Sequence, residues 1–530
     1  MKATTVIDHD VSAKDTKRGK RVWFRSELLA TRCKLKIGDK LRIVYNKNRI
    51  TLVPDENGTL SLTASRGKIS FDLHNKTVLK CLPTAARVFI ELSLNEIVIC
   101  LRRTDERIQV RIQNFMQRMK RKDDLVMGDL CSGVGGLAHS ISTGFKRVGQ
   151  GIKCAFAVDH WFEGMESAAL TNPTYDDNTT LMNCSLEQAP LELMPQLDLL
   201  VTGLSCKAAS RQARTGKKVS LPEFHEEAGW LVMTLPTIIQ KTNPLCLVLE
   251  NVVEYLDTAS RHILGELLKR LGYKEQELIL KGDEHGALEA RKRGAVVYLT
   301  EGVEFDLIQP EPVQNTKTVG EILEPYENFP PVPESIDCPL KDRNGWYPKE
   351  VLLERQREAI EKGKGHRAKI IDPSDTKIST ITASYGKGVR LDESVVESPC
   401  GKWLRLLSPV EHARAKGLPE GLASNLSKTN AHKALGNSVE LSCWAWLGQE
   451  IAFHLSNWVE GFKEEKPRII DIVLEKKSDE RMSFVAKMTD GKKYKYNKTC
   501  LQSQMIQAKG LIDRILEKDE ISHQHWSLVA

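Results

Sequence analysis

Between residues 125 and 299 short apolar runs alternate with longer helix-periodic stretches, and this alternation restricts the fold more than any other feature of the chain. The runs cover 125–130, 155–158, 197–201, 245–249 and 295–299, with helical patterning at 228–241 and 258–271 between them. Each run is too short for a helix of its own. The pattern predicts an α/β class fold, a doubly wound and mostly parallel sheet. In such sheets ligands gather outside the carboxyl ends of the strands, so the residues that end each run are the first candidates for chemistry.

The first run opens into Cys131-Ser132-Gly133-Val134-Gly135-Gly136-Leu137, a glycine-rich turn leading into a helix. Glycines there let the backbone approach a ligand at a helix N-terminus, although a structural tight turn needs them too. The second run ends in Asp159, placed to meet ribose hydroxyls in a nucleotide-type fold. The third breaks at Gly203 and delivers Cys206, followed by Lys207, Ser210, Arg211 and Arg214. Nearby cations raise the thiolate fraction, and thiolate is the nucleophile; the structural alternative is a buried, inert cysteine. Glu250-Asn251-Val252 ends the fourth run on the same sheet edge, as an acid or hydrogen-bond partner or as a helix N-terminal carboxylate. Glu289-Ala290-Arg291-Lys292-Arg293 precedes the last run, suited to an anion or a base carbonyl, or to a solvated strand entry.

The flanks have other textures. Residues 1–17 are polar and read as disordered. Residues 18–102 form a small β domain with hairpins at 41–45/49–53 and 88–92/96–100, the second a weak copy of the first about 47 residues on. Residues 103–123 read as an amphipathic linker helix with apolar spacing at Ile108, Ile112, Phe115 and Met119. Residues 124–302 are the core. Periodicity fades over 303–402, an irregular recognition domain or a long solvated loop region. The core returns over 403–460, and 466–530 is an appendage with strand-like runs at 469–474 and 482–488 and a helix near 511–516.

Twelve cysteines without a C-x-x-C pair or a histidine cluster argue against a disulfide framework and structural zinc, so no metal is expected. No run approaches the ~20 apolar residues of a membrane span, and residues 1–10 lack a signal-peptide core, so a cytoplasmic, nucleoid-associated protein is expected. A net charge of +7 permits a polyanionic partner.

Taken in order, these elements resemble the DNA (cytosine-5)-methyltransferase family. The cofactor loop Asp-x-Phe-x-Gly-x-Gly-Gly is matched by 129–136, the nucleophile loop Pro-Cys by Ser205-Cys206, and Glu-Asn-Val by 250–252. Gln-x-Arg-x-Arg is matched by 289–293, Arg-x-Leu-Thr-Pro-x-Glu by 405–411, and Gly-Asn-Ser-Val by 436–439. The resemblance implies S-adenosyl-L-methionine as cofactor, held by Asp129, Gly133, Gly135, Gly136, Leu137, Asp159, Asn437 and Ser438. It implies double-stranded DNA as partner, a flipped cytosine, a covalent adduct on Cys206, catalytic roles for Glu250, Arg291 and Arg293, and a target recognition domain at 303–402. The alternatives carried with it are a catalytically weakened DNA-binding protein of the same fold and an RNA-directed enzyme. The first β unit resembles the swapped-hairpin (AbrB-like) DNA-binding modules of bacterial transition-state regulators at 35–40. That implies a DNA-binding or dimerisation module, with a homodimer formed through it. The chain departs from the methyltransferase pattern at Ser205 (for proline), Cys131 (for an aromatic), Glu289 (for glutamine) and around Asn183-Cys184-Ser185, where an acidic residue is usual.

Overall fold

The computed structural model describes residues 3–16, 19–82, 86–204, 231–313, 315–334 and 345–460, and beyond them the strands 469–478, 481–488, 493–496, 500–501 and 526–529. Residues up to Leu455 make one compact unit and Ser456–Ala530 a second.

The N-terminal domain is a duplicated β unit. A four-stranded sheet runs Ser12–Thr16, Gly19–Arg25, Lys68–Asn75, Thr63–Ser65; a six-stranded sheet runs Thr5–Asp10, Arg87–Ser93, Glu96–Leu101, Arg49–Pro54, Lys40–Asn46, Leu60–Ser61. Each half contributes a long strand, a helical turn (Leu28–Thr31 or Lys76–Cys81) and a hairpin. The halves pair strand to strand, Val22 opposite Leu73 and Ile97 opposite Leu52, over one core that includes Phe24, Phe71, Ile50 and Ile99. Both hairpins turn through a left-handed asparagine, Asn48 and Asn95, as asparagine tolerates best among non-glycine residues.

The expected disorder of residues 1–17 is corrected. Thr5–Asp10 pairs with Arg87–Ser93, and Val11 is buried in the domain core. The stretch is an edge strand with only one face inward, which its polar residues disguise in sequence.

Arg103–Arg121 (α1) then leads into a seven-stranded sheet. Its strands are β1 (Leu125–Leu130), β2 (Ile152–Asp159), β3 (Thr180–Asn183), β4 (Leu199–Gly203), β5 (Cys246–Asn251), β6 (Tyr273–Lys281) and β7 (Lys292–Thr300), in the order 3-2-1-4-5-7-6. Only β7 runs against the others. Helices α2 (Gly136–Arg147), α3 (Phe162–Thr171), α4 (Leu231–Thr242) and α5 (Ala259–Arg270) alternate with the strands. Strands covered on both faces read as unbroken apolar runs, and Phe156, Leu200, Leu247 and Val296 pack with Ile238 and Leu264 in one core.

The region expected to be irregular carries its own small core. Helix α6 (Lys349–Glu361) accompanies a four-stranded sheet ordered Tyr347–Pro348, Trp403–Leu406, Ser394–Glu397, Lys369–Ile371, packed around Ile378, Tyr385, Val395 and Leu404. Trp403–Leu406 therefore belongs to this sheet, and helices resume only at α7 (Pro409–Ala415), α8 (Lys428–Asn437) and α9 (Leu441–Glu460). Strands of two to four residues are too short to leave a periodic trace in sequence.

In the second unit Ile469–Ser478, Arg481–Met488, Lys493–Tyr496 and Trp526–Val529 form an antiparallel sheet in that order, with Cys500–Leu501 on Arg481–Met488. The helix expected near 511–516 lies outside the described residues. Among the described residues no helix is long and apolar enough to cross a membrane.

Candidate active site

The carboxyl ends of β1, β2 and β3 meet in one locality, and those of β4 and β5 meet the start of β7 on the same edge. From β1 the chain passes through three left-handed residues, Cys131, Gly133 and Gly135, before α2 begins at Gly136. A Cβ on Gly135 would come within 2.2 Å of Asn172 Nδ2 and 2.5 Å of the Tyr175 hydroxyl, so that close approach and positive φ together require glycine. A Cβ on Gly136 would meet Ser438 Oγ at 2.8 Å, which brings the glycine turn and the 436–439 element side by side. Leu137 is buried in the first turn of α2, and Asn437 is the exposed last residue of α8.

Asp129 is buried beneath the turn. Its Oδ2 accepts the Tyr175 hydroxyl at 2.8 Å, while its Oδ1 has no hydrogen-bond partner. Burial pushes this carboxyl up to about 7, against the pull of the Tyr175 hydrogen bond. Asp159 ends β2 and braces the turn: one oxygen accepts Gly133 N–H, the other Trp161 N–H, both at 2.8 Å. Each oxygen keeps a further lone pair. Asn183, at the end of β3, donates to the Asp159 carbonyl at 3.0 Å. Burial and the nearby Asp159 and Asp129 carboxylates push the Cys131 thiol up, away from the thiolate form.

Glu250 lies beside Gly203 in register, and its carboxylate takes the Arg293 guanidinium at 3.0 Å across the antiparallel β5–β7 pairing. The side chains are 12% and 16% exposed, so the pair opens to the sheet edge. Asn251 donates to the Leu204 carbonyl at 3.2 Å and accepts Val252 N–H, fixing the last described residue before the loop that carries Cys206. Cys206 itself, with Ser205, lies outside the described residues.

Arg291 is set differently from Arg293. It is buried, donates to the Gly436 carbonyl at 3.0 Å and stands 3.7 Å from Glu289. Glu289, in turn, accepts Lys416 Nζ at 2.6 Å and Ile381 N–H at 2.8 Å, with both charged side chains fully buried. Burial works to raise the Glu289 carboxyl, but Lys416 and Arg291 hold it below its ordinary value. Burial and Arg291 bring Lys416 down to about 7. Lys416 has no chemical motif to announce it; the one signal is the acid at 289, which needs a buried cation. Arg405 and Glu411 form a bidentate pair at 2.7 and 2.8 Å, and Ser408 caps α7 with Glu411 returning the bond. The 405–411 element therefore ties the Trp403–Leu406 strand to the start of α7. Among the described residues no group of three metal-ligating side chains forms.

A doubly wound sheet with a glycine cradle at β1, an acid at β2 and a carboxylate–guanidinium pair beside a cysteine-bearing loop is a methyltransferase architecture. The chain belongs to the C-5 cytosine-specific DNA methylase family, whose model matches residues 125–452, and is a DNA cytosine-5 methyltransferase. It is 27% identical over 315 residues to the Type II methyltransferase M.NlaX of Neisseria lactamica, covering 59% of this chain and 91% of that protein. The Type II methyltransferase M.MspI of a Moraxella species is 25% identical over 346 residues, 63% of this chain and 73% of that one. The crystal structure of the S. pombe Dnmt2 methyltransferase aligns with a TM-score of 0.46 at 15% identity, over 64% of this chain and all of that one.

Proposed function

We propose that Cys206 is the nucleophile of this methyltransferase and that Glu250 and Arg293 bind the reacting cytosine. The observation that carries the reading is the Glu250–Arg293 pair, open at the carboxyl edge next to the strand that ends at Gly203. Carbon 5 of cytosine is a weak nucleophile until a thiolate adds to carbon 6. Cys206 forms that bond, and the ring electrons move toward carbon 5 and ring nitrogen 3. Glu250 holds nitrogen 3 and the exocyclic amine, Arg293 the carbonyl oxygen, so charge developing in the adduct meets fixed partners. Arg291, anchored to Gly436, supports this wall from behind. Loss of the carbon-5 proton after methylation expels the thiol and restores Cys206.

The cradle fits a nucleoside-bearing methyl donor. The unpartnered Asp129 Oδ1, the glycine approach at 133–136, Leu137, the spare lone pairs of Asp159, and Asn437 with Ser438 are the groups that would hold S-adenosyl-L-methionine. When bound it supplies the electrophilic methyl group. We further read the chain as the modification enzyme of a restriction–modification pair, working on double-stranded DNA in the cytoplasm at the nucleoid, with residues 303–402 reading the target. The internal pairing of its two halves supports reading the N-terminal domain as AbrB-like. That pairing also leaves a homodimer through the domain unnecessary.

Expression of the intact chain in cells lacking 5-methylcytosine, followed by bisulfite sequencing, tests the reading and reports the target site. Methylated cytosines are expected with the intact chain and none with Cys206→Ala. Methyl transfer that survives Cys206→Ala would overturn the assignment.

A further inference from the structure

The connection between β6 and β7 runs beside a segment of the recognition region. Ile378 N–H donates to the Leu288 carbonyl at 2.8 Å, and Ala290 N–H returns to the Ile378 carbonyl at 2.9 Å, a parallel bridge centred on Glu289. The Thr380 hydroxyl donates to the Ala290 carbonyl at 3.1 Å. At the next residue the rung is a side chain: Glu289 Oε1 accepts Ile381 N–H at 2.8 Å. A Cβ on Gly436 would lie 2.4 Å from Ala383 N and 2.5 Å from the Thr382 carbonyl. The segment therefore leaves Glu289 pressed against the residue whose carbonyl holds Arg291. It then passes through buried Tyr385 to Lys387 and Arg390, both exposed.

The Glu289 side chain is occupied on both oxygens. Oε2 takes Lys416 Nζ and Oε1 takes Ile381 N–H, with the Arg291 guanidinium 3.7 Å from that same Oε1. Two donors on opposite oxygens suit a carboxylate, whereas an amide offers one acceptor and turns its own N–H groups toward the other donor. A buried ion pair gives little net stability over apolar residues of the same volume, because desolvation offsets the attraction. What this one supplies is register. It sets the backbone of the recognition region at a fixed place beside Arg291, just ahead of β7 and its Arg293.

We propose that Glu289 is a positioning residue for site selection, which keys the 378–383 segment to the arginine element so that the cytosine is held productively only when the recognition region is seated on its target. Glu289 is fully buried and acts through Ile381 and Arg291. The proposal rests on the reading of Arg293 as a base contact and of residues 303–402 as the reader of the target.

Which donor an amide prefers determines what each substitution does. In Glu289→Gln the single carbonyl oxygen goes to the charged Lys416, the stronger bond, and Ile381 loses its acceptor. In Lys416→Met the carboxylate keeps Ile381, with Arg291 as its remaining cation. In Glu289→Gln combined with Lys416→Met the amide oxygen returns to Ile381. In Glu289→Met combined with Lys416→Met no acceptor is left.

The test lets the full chain and each variant methylate plasmid DNA, with bisulfite sequencing over time giving rates at the target and at sites one base pair away from it. The ratio of the two rates does not depend on the fraction of molecules folded, so a purely structural role leaves it unmoved. Glu289→Gln should lower the ratio about tenfold, while Lys416→Met, the variant that loses stability, keeps it within about twofold. The Gln–Met pair should restore the ratio and the Met–Met pair should not, a contrast that stands even if the single Glu289 variant fails to fold. Arg293→Lys is the reference and should slow both classes of site alike. An unchanged ratio in Glu289→Gln, an equal fall in Lys416→Met, or equal ratios in the two pairs overturns the keying role and leaves the base contact standing. Arg293→Lys with the rates of the intact chain overturns the base contact, and the keying role falls with it.

Discussion

Two carboxylate–cation pairs flank the same arginine element and are built for opposite ends. Glu289–Lys416 is sealed: both side chains are fully buried, and the carboxylate also takes the Ile381 N–H from the recognition region. Glu250–Arg293 is partly exposed at the sheet edge, joined by one contact at 3.0 Å, with Arg293 also donating to the Lys292 carbonyl at 2.7 Å. The sealed pair fixes three chain segments relative to one another. In the role proposed for it, the second pair exchanges each partner for a group of the base. Desolvation decides which is which, because a fully buried charge that loses its partner has no water to turn to, whereas a partly exposed one does.

Breaking the sealed pair should have the largest effect on the fold. Lys416→Met removes the hydrogen-bonded cation of Glu289, leaving only the more distant Arg291, and is expected to lower unfolding free energy by about 3 kcal/mol in urea titrations. The double variant Glu289→Gln with Lys416→Met should regain most of that, leaving the coupling energy as the measure of the pair. Breaking the open pair should do the reverse. Glu250→Gln is expected to reduce kcat/KM by roughly 100- to 1,000-fold with an unchanged urea midpoint. Equal stability losses in the two variants would erase the distinction.

A third, intermediate effect belongs to Asp129, sealed like Glu289 but without a cation. Its folded pKa of about 7 lies above the unfolded value near 3.9. The native state thus binds the extra proton between these values, and the stability this contributes is present below about pH 4 and lost as pH rises through 7. Asp129→Asn should flatten that part of the stability profile, measured as the difference from the unsubstituted chain between pH 4 and 7. The smallest effect is expected at Ser408, whose hydroxyl accepts the Glu411 N–H at the start of α7. Ser408→Ala should cost about 1 kcal/mol with kcat intact.

What could be read from sequence follows from what each element buries. The parallel strands were legible because both faces are covered, so apolar runs mark them directly, and Asp159 and Glu250 stood out as candidates because they end such runs. Thr5–Asp10 was hidden because an edge strand buries one face only and its Asp, His and Thr residues mimic a polar tail. The short strands of 345–406 were hidden by length. Lys416 was hidden for another reason: a lone lysine at a helix C-terminus is usually a solvated one, and only its distance to Glu289, 127 residues away in sequence, makes it part of the junction. Tyr175 under the glycine turn is a similar case, joined to Asp129 by contact and not by spacing.

The duplicated β unit has a consequence for the cell's bookkeeping of molecules. Two half-domains on separate chains would find each other only above a threshold abundance. Tethered by the short run from Leu60 to Lys68, each half meets the other at the effective concentration of an intramolecular partner, which is millimolar for short linkers. The assembled domain is therefore present from the first copy synthesised, at a strength that dilution and cell division do not change.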